Sequence, residues 1–435
     1  MRAALWFLAL FGMAVAIALF AGNNQGTITV FWPPYRLDLS LNLVLLLLAL
    51  LFLTLHVALR ALAALFAMPG HARSWRIQHQ ERAMHVALLD ALSHLVAGRF
   101  IRARKAAEVV LARESAMTRS GETLAYSGRL RALSHLLAAE SAQALQDKAT
   151  REAHFLQALE HASRRDAQET REGVQLRAAR WALEDRDAEG ALEWIGELPQ
   201  GASRRTIALR LRLRAARMAR QPLLALETAR LLTKHRAFSE VAAQGILRGL
   251  ALELVLTAHD PDQLQTVWKQ LDAAERVLPE VAIQAGNRML KLSGDVELAR
   301  AWLLPVWERM VAQPGFLTEV QRISLIRVLE SCFALASGVS EAAWLTRIEQ
   351  AQMANPGDSA LQYLAGITCM RLQLWGKAQH LLKQSLSGLQ DAGLERNVWQ
   401  ALAELAERRG DVAASTQAWQ NAAKAATTGV RNGDY

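Results

Sequence analysis

The stretch from Ala3 to Ala21 holds nineteen residues without a charge, and a second uncharged run extends from Leu39 to Leu59. At about 1.5 Å of rise per residue each reaches roughly 28–32 Å, the thickness of a bilayer's hydrocarbon core. Both read as transmembrane helices, so the chain is constrained to begin as a membrane hairpin (residues 1–67, spans about 3–21 and 39–59, loop 22–38). Arg2 ahead of an apolar core also fits a signal peptide, but the core is long, no clean Ala-x-Ala site follows, and Leu19 and Phe20 stand where small residues are wanted. Cleavage there would still leave the second span as an anchor.

The loop carries only Arg36, whereas Arg60, Arg73, Arg76, Arg82, Arg99 and Arg102 follow the second span, and this bias places both termini in the cytoplasm and the loop outside. Thr27 to Trp32, Pro33-Pro34, and Tyr35 to Leu39 read as two short extended segments around a turn. Trp32 and Tyr35 suit one interfacial belt, and Arg60, Arg73 and Arg76 suit the other. His56 sits near the cytoplasmic end of the second span, where it snorkels to the interface or meets a partner.

Met68-Pro69-Gly70 reads as the end of the membrane helix, and from there to residue 427 the chain is helical periodicity broken by short Gly, Asp and Pro signals. Small residues early in alternate helices recur at Ala103, Arg151, Ala191, Ala225, Leu264, Ala299, Ala343, Ala378 and Ser415, spaced 34 to 48 residues apart. Arg151 and Leu264 are poor small positions, and their units rest on Phe155-x-x-Ala158 and Trp268-x-x-Leu271. Gly98-Arg99, Gln146-Asp147, Arg186-Asp187, Gly294-Asp295 and Gly410-Asp411 fall at the turns, with Asp able to cap the next helix. With aromatics at only 6%, and few β-rich runs, the fold class is all-α: two membrane helices and a tetratricopeptide-like right-handed α-solenoid of roughly nine helix pairs, with a flexible tail at 428–435.

Chemistry is sparse. No phosphate-binding loop, His-Glu-x-x-His helix or nucleophile elbow occurs, and Cys332 and Cys369 have no metal or haem-attachment spacing and read as buried thiols, so the chain reads as a non-catalytic scaffold. The net charge of +9 is explained by an anionic leaflet without invoking nucleic acid, for which no motif is present. Basic residues spaced three or four apart recur on first helices: Arg177 and Arg180, then Arg210, Arg214 and Arg217, then Arg288 and Lys291. Lining a groove they would hold acidic partner segments or porphyrin propionates; on a solvated face they would do neither. His154 and His161, seven apart on one helical face, are the matching candidates for haem, or are surface histidines.

The hairpin with its short extended loop, the segment Pro69-Gly70-His71-Ala72-Arg73-Ser74-Trp75 and the run Leu136-Leu137-Ala138-Ala139-Glu140-Ser141-Ala142-Gln143 resemble the HemY-type inner-membrane tetratricopeptide proteins of proteobacteria. The resemblance implies a role in late haem or protoporphyrin biosynthesis, exercised by holding soluble tetrapyrrole enzymes at the membrane. The flavin-dependent oxidase that shares the name needs a Gly-x-Gly-x-x-Gly turn, which this chain lacks. The partners so implied are the lipid bilayer and soluble proteins, with no required cofactor. The alternatives are a tetrapyrrole-binding protein, with haem or porphyrin as ligand, and a general envelope adaptor with no haem role.

Overall fold

The computed structural model describes residues 2–23, 25–163, 167–313, 315–335 and 340–432. The chain divides into two compact units, Met1–Thr170 and Arg171–Tyr435.

The first unit opens with helix α1 (Arg2–Asn23) and strands β1 (Thr27–Trp32) and β2 (Tyr35–Ser40), which pair antiparallel around Pro33-Pro34. Ser40 caps α2 (Leu41–Val96), its Oγ accepting from the Leu43 amide at 3.2 Å. Helices α3 (Phe100–Arg119), α4 (Ser127–Ala144) and α5 (Lys148–His161) fold back in succession. Met84, Ala87, Val110, Met117 and Leu130 form one core cluster, and Ala91, Ala107 and Ala138 form another where the helices approach closely.

Two expectations change here. The stop expected at Met68-Pro69-Gly70 does not occur, because α2 runs unbroken for 56 residues. Proline removes one backbone donor, but Ile77, Met84 and Ala87 pack the far half of the helix onto α3 and α4 and hold it in line. The second change concerns the membrane. Leu41–Ala63 of α2 is the one stretch among the described residues long and apolar enough to cross a bilayer, where two spans were expected. In α1 the apolar stretch is Leu8–Leu19, about 18 Å long at 1.5 Å per residue and short of a ~30 Å core. The side chains of residues 3–5, 7, 20 and 21, the rest of that expected span, lie outside the described residues. The span itself starts later than expected because Leu39 and Ser40 belong to β2.

The second unit is a run of antiparallel pairs. It holds α6 (Gln168–Glu184, within this unit from Arg171) with α7 (Ala188–Gly196), a turn α8 (Gln200–Ser203), α9 (Thr206–Met218) with α10 (Pro222–Lys234), and α11 (Glu240–Thr257) with α12 (Pro261–Gln270). After the short α13 (Ala273–Arg276) come α14 (Pro279–Lys291) with α15 (Val296–Ala312), and α16 (Glu319–Leu335) with α17 (Ser340–Ala354). The last pairs are α18 (Ser359–Arg371) with α19 (Trp375–Ser385) and α20 (Ala392–Arg408) with α21 (Val412–Asn432). The first helices α11, α14, α16, α18 and α20 also touch one another in sequence, the layering of an α-solenoid. One core runs through it, with Trp268 and Trp302 stacked at 4.5 Å and Trp344 edge-on to Trp307 and Phe333. Helix α21 reaches Asn432, so the tail expected at 428–435 starts as helix; 433–435 lie outside the described residues.

All nine sequence markers fall in the second helix of a pair. Ala103, Ala191, Ala225, Leu264, Ala299 and Ala378 are wholly buried, and Ser415 nearly so. Ala343 is exposed, and its neighbour Trp344 takes the core position. The turns share a geometry: the residue before the capping position has positive φ at Gly98, Gln146, Arg186, Arg220, Gln373 and Gly410. The next amide closes back onto the preceding helix, as from Asp147 to Ala142 O at 2.9 Å and from Asp187 to Ala182 O at 2.8 Å. Asp147, Asp187, Asp295 and Asp411 then cap the following helix.

Helices α18 and α19 approach so closely at Gly366 that a Cβ there would lie 2.7 Å from Leu382 Cγ, whereas a Cβ on Gly245 of α11 meets nothing. Gly366→Val should therefore cost about 1–3 kcal/mol through overpacking, and Gly245→Ala should add about 0.5–1 kcal/mol through helix propensity. Urea midpoints of the full chain read both; equal midpoints for the two variants would refute the close packing.

Candidate functional site

Helix α9 reads Thr206-Ile-Ala-Leu-Arg-Leu-Arg-Leu-Arg-Ala-Ala-Arg-Met218, and Ala208, Leu209, Leu213, Ala215 and Ala216 turn into the core. Helical periodicity therefore sends Arg210, Arg214 and Arg217 outward together. They line a groove of about 610 Å³ with Leu213 and Met218, closed by Phe238 ahead of α11 and Glu253 on α11. Arg210 is steadied by donating from Nη2 to the Ala237 carbonyl at 3.2 Å. Among the described residues no carboxylate lies within ion-pairing distance of Arg210, Arg214 or Arg217.

Other first helices differ. Arg248 of α11 pairs with Glu280 of α14 at 3.0 Å, and Gln321 of α16 donates to the same carboxylate at 2.9 Å. Arg322 of α16 reaches Asp358 at 2.6 Å, and Arg327 reaches Asp391 at 2.6 Å. Tyr363 of α18 and Asn397 of α20 both donate to Glu330 of α16, tying three successive first helices together. Burial pushes the Glu330 carboxyl above its ordinary range despite those donors. These cross-links join residues 33 to 67 positions apart, which no helical spacing reveals.

The remaining sequence candidates separate. Arg180 pairs with Glu184 on its own helix at 3.0 Å. Arg177 is on the same helix and half-buried. Arg288 donates Nε and Nη2 to the Ala258 carbonyl at 3.1 and 2.8 Å, holding the end of α11, while Lys291 is exposed at the end of α14. Of the three sets, the α9 set is the one that lines this groove. Of the interface candidates, Trp32 and Tyr35 face each other at the ribbon tip, 73% and 71% exposed. Arg60 lies within the crossing stretch, Arg73 binds Glu122 at 2.8 Å, and Arg76 is exposed on α2. Cys332 and Cys369 are buried free thiols, and burial pushes Cys332 up to about 12.

A second feature lies in the first unit. His135 of α4 joins His154 and His161 of α5: its Nδ1 is 2.9 Å from His154 Nδ1, and its ring stacks on His161 at 5.7 Å. Burial, reinforced by His154, His161 and Arg131, brings His135 down to about 4, and burial also lowers His154. His135 and His154 are therefore neutral at pH 7. His135 escaped sequence reasoning because it sits on the neighbouring helix. Nearby, hydrogen bonds from Ser127, Arg131 and Thr118 outweigh burial and hold the Glu114 carboxyl below its usual range, binding α3 to α4.

Residues 26–146 match the family described as HemY protein N-terminus. Over that region the chain is similar to HemY proteins. The match covers the ribbon, α2, α3 and α4 and ends before the α9 groove begins. No curated protein matches the sequence. Among solved structures, the APC/C hetero-tetramer Cut9–Hcn1 is 13% identical with a TM-score of 0.27, over 78% of this chain and 66% of that one. The P58(IPK) TPR domain is 12% identical at 0.22, over 75% and 99%. Naa15/Naa10 bound to HypK-THB is 12% identical at 0.25, over 76% and 57%. The chain thus spans just under two thirds of the first of these and little over half of the third.

The histidine cluster sets a pH dependence. His135 takes up a proton near 6.5 when unfolded and only near 4 when folded, so the unfolded state binds more protons between those values. Its contribution to stability is complete above pH 6.5 and is lost as pH falls towards 4. The melting temperature of the full chain should drop across this window, and His135→Gln should flatten the drop; an unchanged profile in that variant would remove the cluster as its source.

Proposed function

We propose that this chain is a non-catalytic, membrane-anchored scaffold whose right-handed tetratricopeptide-like array binds acidic segments of soluble proteins in the α9 groove. The observation that carries the reading is the arrangement of Arg210, Arg214 and Arg217 around Leu213, Met218 and Phe238. On α11 and α16, Arg248, Arg322 and Arg327 are spent on neighbouring carboxylates; here three guanidinium groups face a groove with an apolar floor. Such a surface fits carboxylates flanking a bulky apolar residue, with the guanidinium forks fixing the carboxylates and the floor taking the side chain.

The anchor is Leu41–Ala63, with the array and the C-terminus on the cytoplasmic side of a bacterial inner membrane, as the basic residues after the span favour; a single crossing puts the N-terminus on the other side. Trp32 and Tyr35 hold one interface, and Arg60, Arg73 and Arg76 the other. Kinship with HemY proteins over residues 26–146 supports late haem-biosynthesis enzymes as the partners. The cluster of His135, His154 and His161 favours one second reading, in which the first unit binds a tetrapyrrole through imidazole.

Three measurements test these readings. Full-length protein in nanodiscs should bind a fluorescein-labelled peptide in which Glu and Asp flank Leu and Phe. Arg214→Glu with Arg217→Glu should weaken binding at least tenfold, about 1.4 kcal/mol, while Lys291→Glu should leave it within a few fold. Equal effects would reduce the groove to one part of a general basic field. Mild crosslinking in the native membrane should recover late haem-pathway enzymes, lost on the same charge reversal. Recovery of unrelated envelope proteins would make the chain a general adaptor, and a Soret shift on adding haemin, abolished by His135→Gln with His154→Gln, would favour the second reading.

A further inference from the structure

The two-stranded ribbon ahead of the membrane span is sorted by chemistry, one face against the other. Paired residues of an antiparallel ribbon project to the same side, so Ile28 with Leu39, Val30 with Leu37, and Trp32 with Tyr35 share one face. That face is apolar over its whole length. Thr27 with Ser40, Thr29 with Asp38, and Phe31 with Arg36 share the other. There Arg36 pairs with Asp38 at 3.4 Å and lies over the Phe31 ring at 5.4 Å, so the second face is finished with its own polar contacts. The apolar face has no cover: Ile28, Val30, Trp32, Tyr35 and Leu37 are between 36% and 73% exposed.

The ribbon is also fixed in place. Ser40, the last residue of β2, is the cap of α2, and the Leu41 amide donates to Gly26 O at 2.8 Å, closing the ribbon's base onto the helix that begins the crossing stretch. Both strands touch α2. An isolated two-stranded ribbon is marginal in water, and this one exposes apolar side chains along about 20 Å, six residues at roughly 3.4 Å each.

We propose that the ribbon lies along the bilayer surface with the face of Ile28, Val30, Trp32, Tyr35, Leu37 and Leu39 sunk into the headgroup and upper acyl region and the face of Thr29, Asp38 and Arg36 turned to water. The occupant of the face is thus phospholipid, an assignment that rests on reading Leu41–Ala63 as the span. Continuity with that span decides it: the ribbon's base sits where the helix enters the hydrocarbon, and Trp32 and Tyr35 have the amphipathic rings that favour the interface. The ribbon then acts as a foot that stops α2 from sliding inward.

Spin labels test this in the full chain. Cys332 and Cys369 are replaced by Ala, folding is checked by circular dichroism, and single cysteines are placed at Ile28, Thr29, Val30, Leu37 and Asp38. Reconstituted in phosphatidylethanolamine–phosphatidylglycerol vesicles, labels at 28, 30 and 37 should collide severalfold more with oxygen than with a nickel chelate, and labels at 29 and 38 should show the reverse. Loss of this period-two alternation, with all five labels favouring nickel, would overturn the proposal. So would spin–spin broadening at 28 and 30 with little oxygen contact, which would mean that a second copy covers the face. Labels at Leu48 and Phe52 separate the two readings: oxygen-favoured there with a water-exposed ribbon sinks only the foot, whereas nickel-favoured there sinks the span as well.

Discussion

A single unbroken helix determines what the first unit can do. Because α2 continues from Leu41 to Val96, the residues long and apolar enough to cross a membrane and those that carry the first repeat pair are one rod of about 84 Å at 1.5 Å per residue. Packing against it begins early. Arg73 meets Glu122, Tyr126 donates to Glu81, and Ile77 joins the core of Met84 and Val110. Arg73 lies about 15 Å along the axis from Ala63, so α3 and α4 pack onto α2 soon after its apolar stretch, with no break in the helix between the two. If that stretch crosses a bilayer, as proposed, the histidine cluster of α4 and α5 would stand at a fixed height above the lipid.

In the second unit the organising force is close helix approach, made affordable by small residues and by turns that reverse the chain in three residues. Ala191, Ala225, Ala299 and Ala378 let backbones come together, and Gly366 does so where Leu382 fills the space. Such tight reversal needs one residue in the left-handed region. Arg186, Arg220 and Gln373 adopt it without being glycine, each followed by a closing amide bond, as Gln146 does in the first unit. The strain of each is of the order of 1 kcal/mol and is offset by the capping bonds and by burial of the helix pair. Exposed ion pairs such as Arg248–Glu280 contribute little net stability, but a ladder of them between first helices neutralises the charges along that run. Among the described residues, the three arginines that line the α9 groove have no such carboxylate partner.

Much of this was legible in the sequence, and the parts that were not have physical reasons. The helix pairs could be read because the spacing of small residues is a local signal, and the one slip, from Ala343 to Trp344, is a single-residue register error inside an otherwise correct helix. The ribbon could be read from Pro33-Pro34 between β-branched and aromatic residues. The Pro69-Gly70 stop failed because local breakers compete with tertiary packing, and Ile77, Met84 and Ala87 win. Spacing alone put Arg288 beside Arg210 in one basic track, but spacing cannot tell a guanidinium aimed at the Ala258 carbonyl from one aimed at a groove. The Glu330, Tyr363 and Asn397 network joins three separate helices, and His135 faces His154 across a turn; contacts of that kind are set by the fold, not by periodicity.

The proposed anchor and the proposed groove differ in the strength of what they would bind. An apolar stretch of 23 residues, exposed along its length, is far more stable in a bilayer than in water, so an anchor built on it would be permanent. The α9 groove works on exposed guanidinium groups at physiological ionic strength, where charges more than about 8 Å apart are screened, so its contacts are individually weak and rapidly exchanged. On the proposed scaffold reading, partners gathered by weak, reversible contacts would gain effective concentration with no new contact between them, which is what separates such an array from a tight stoichiometric complex.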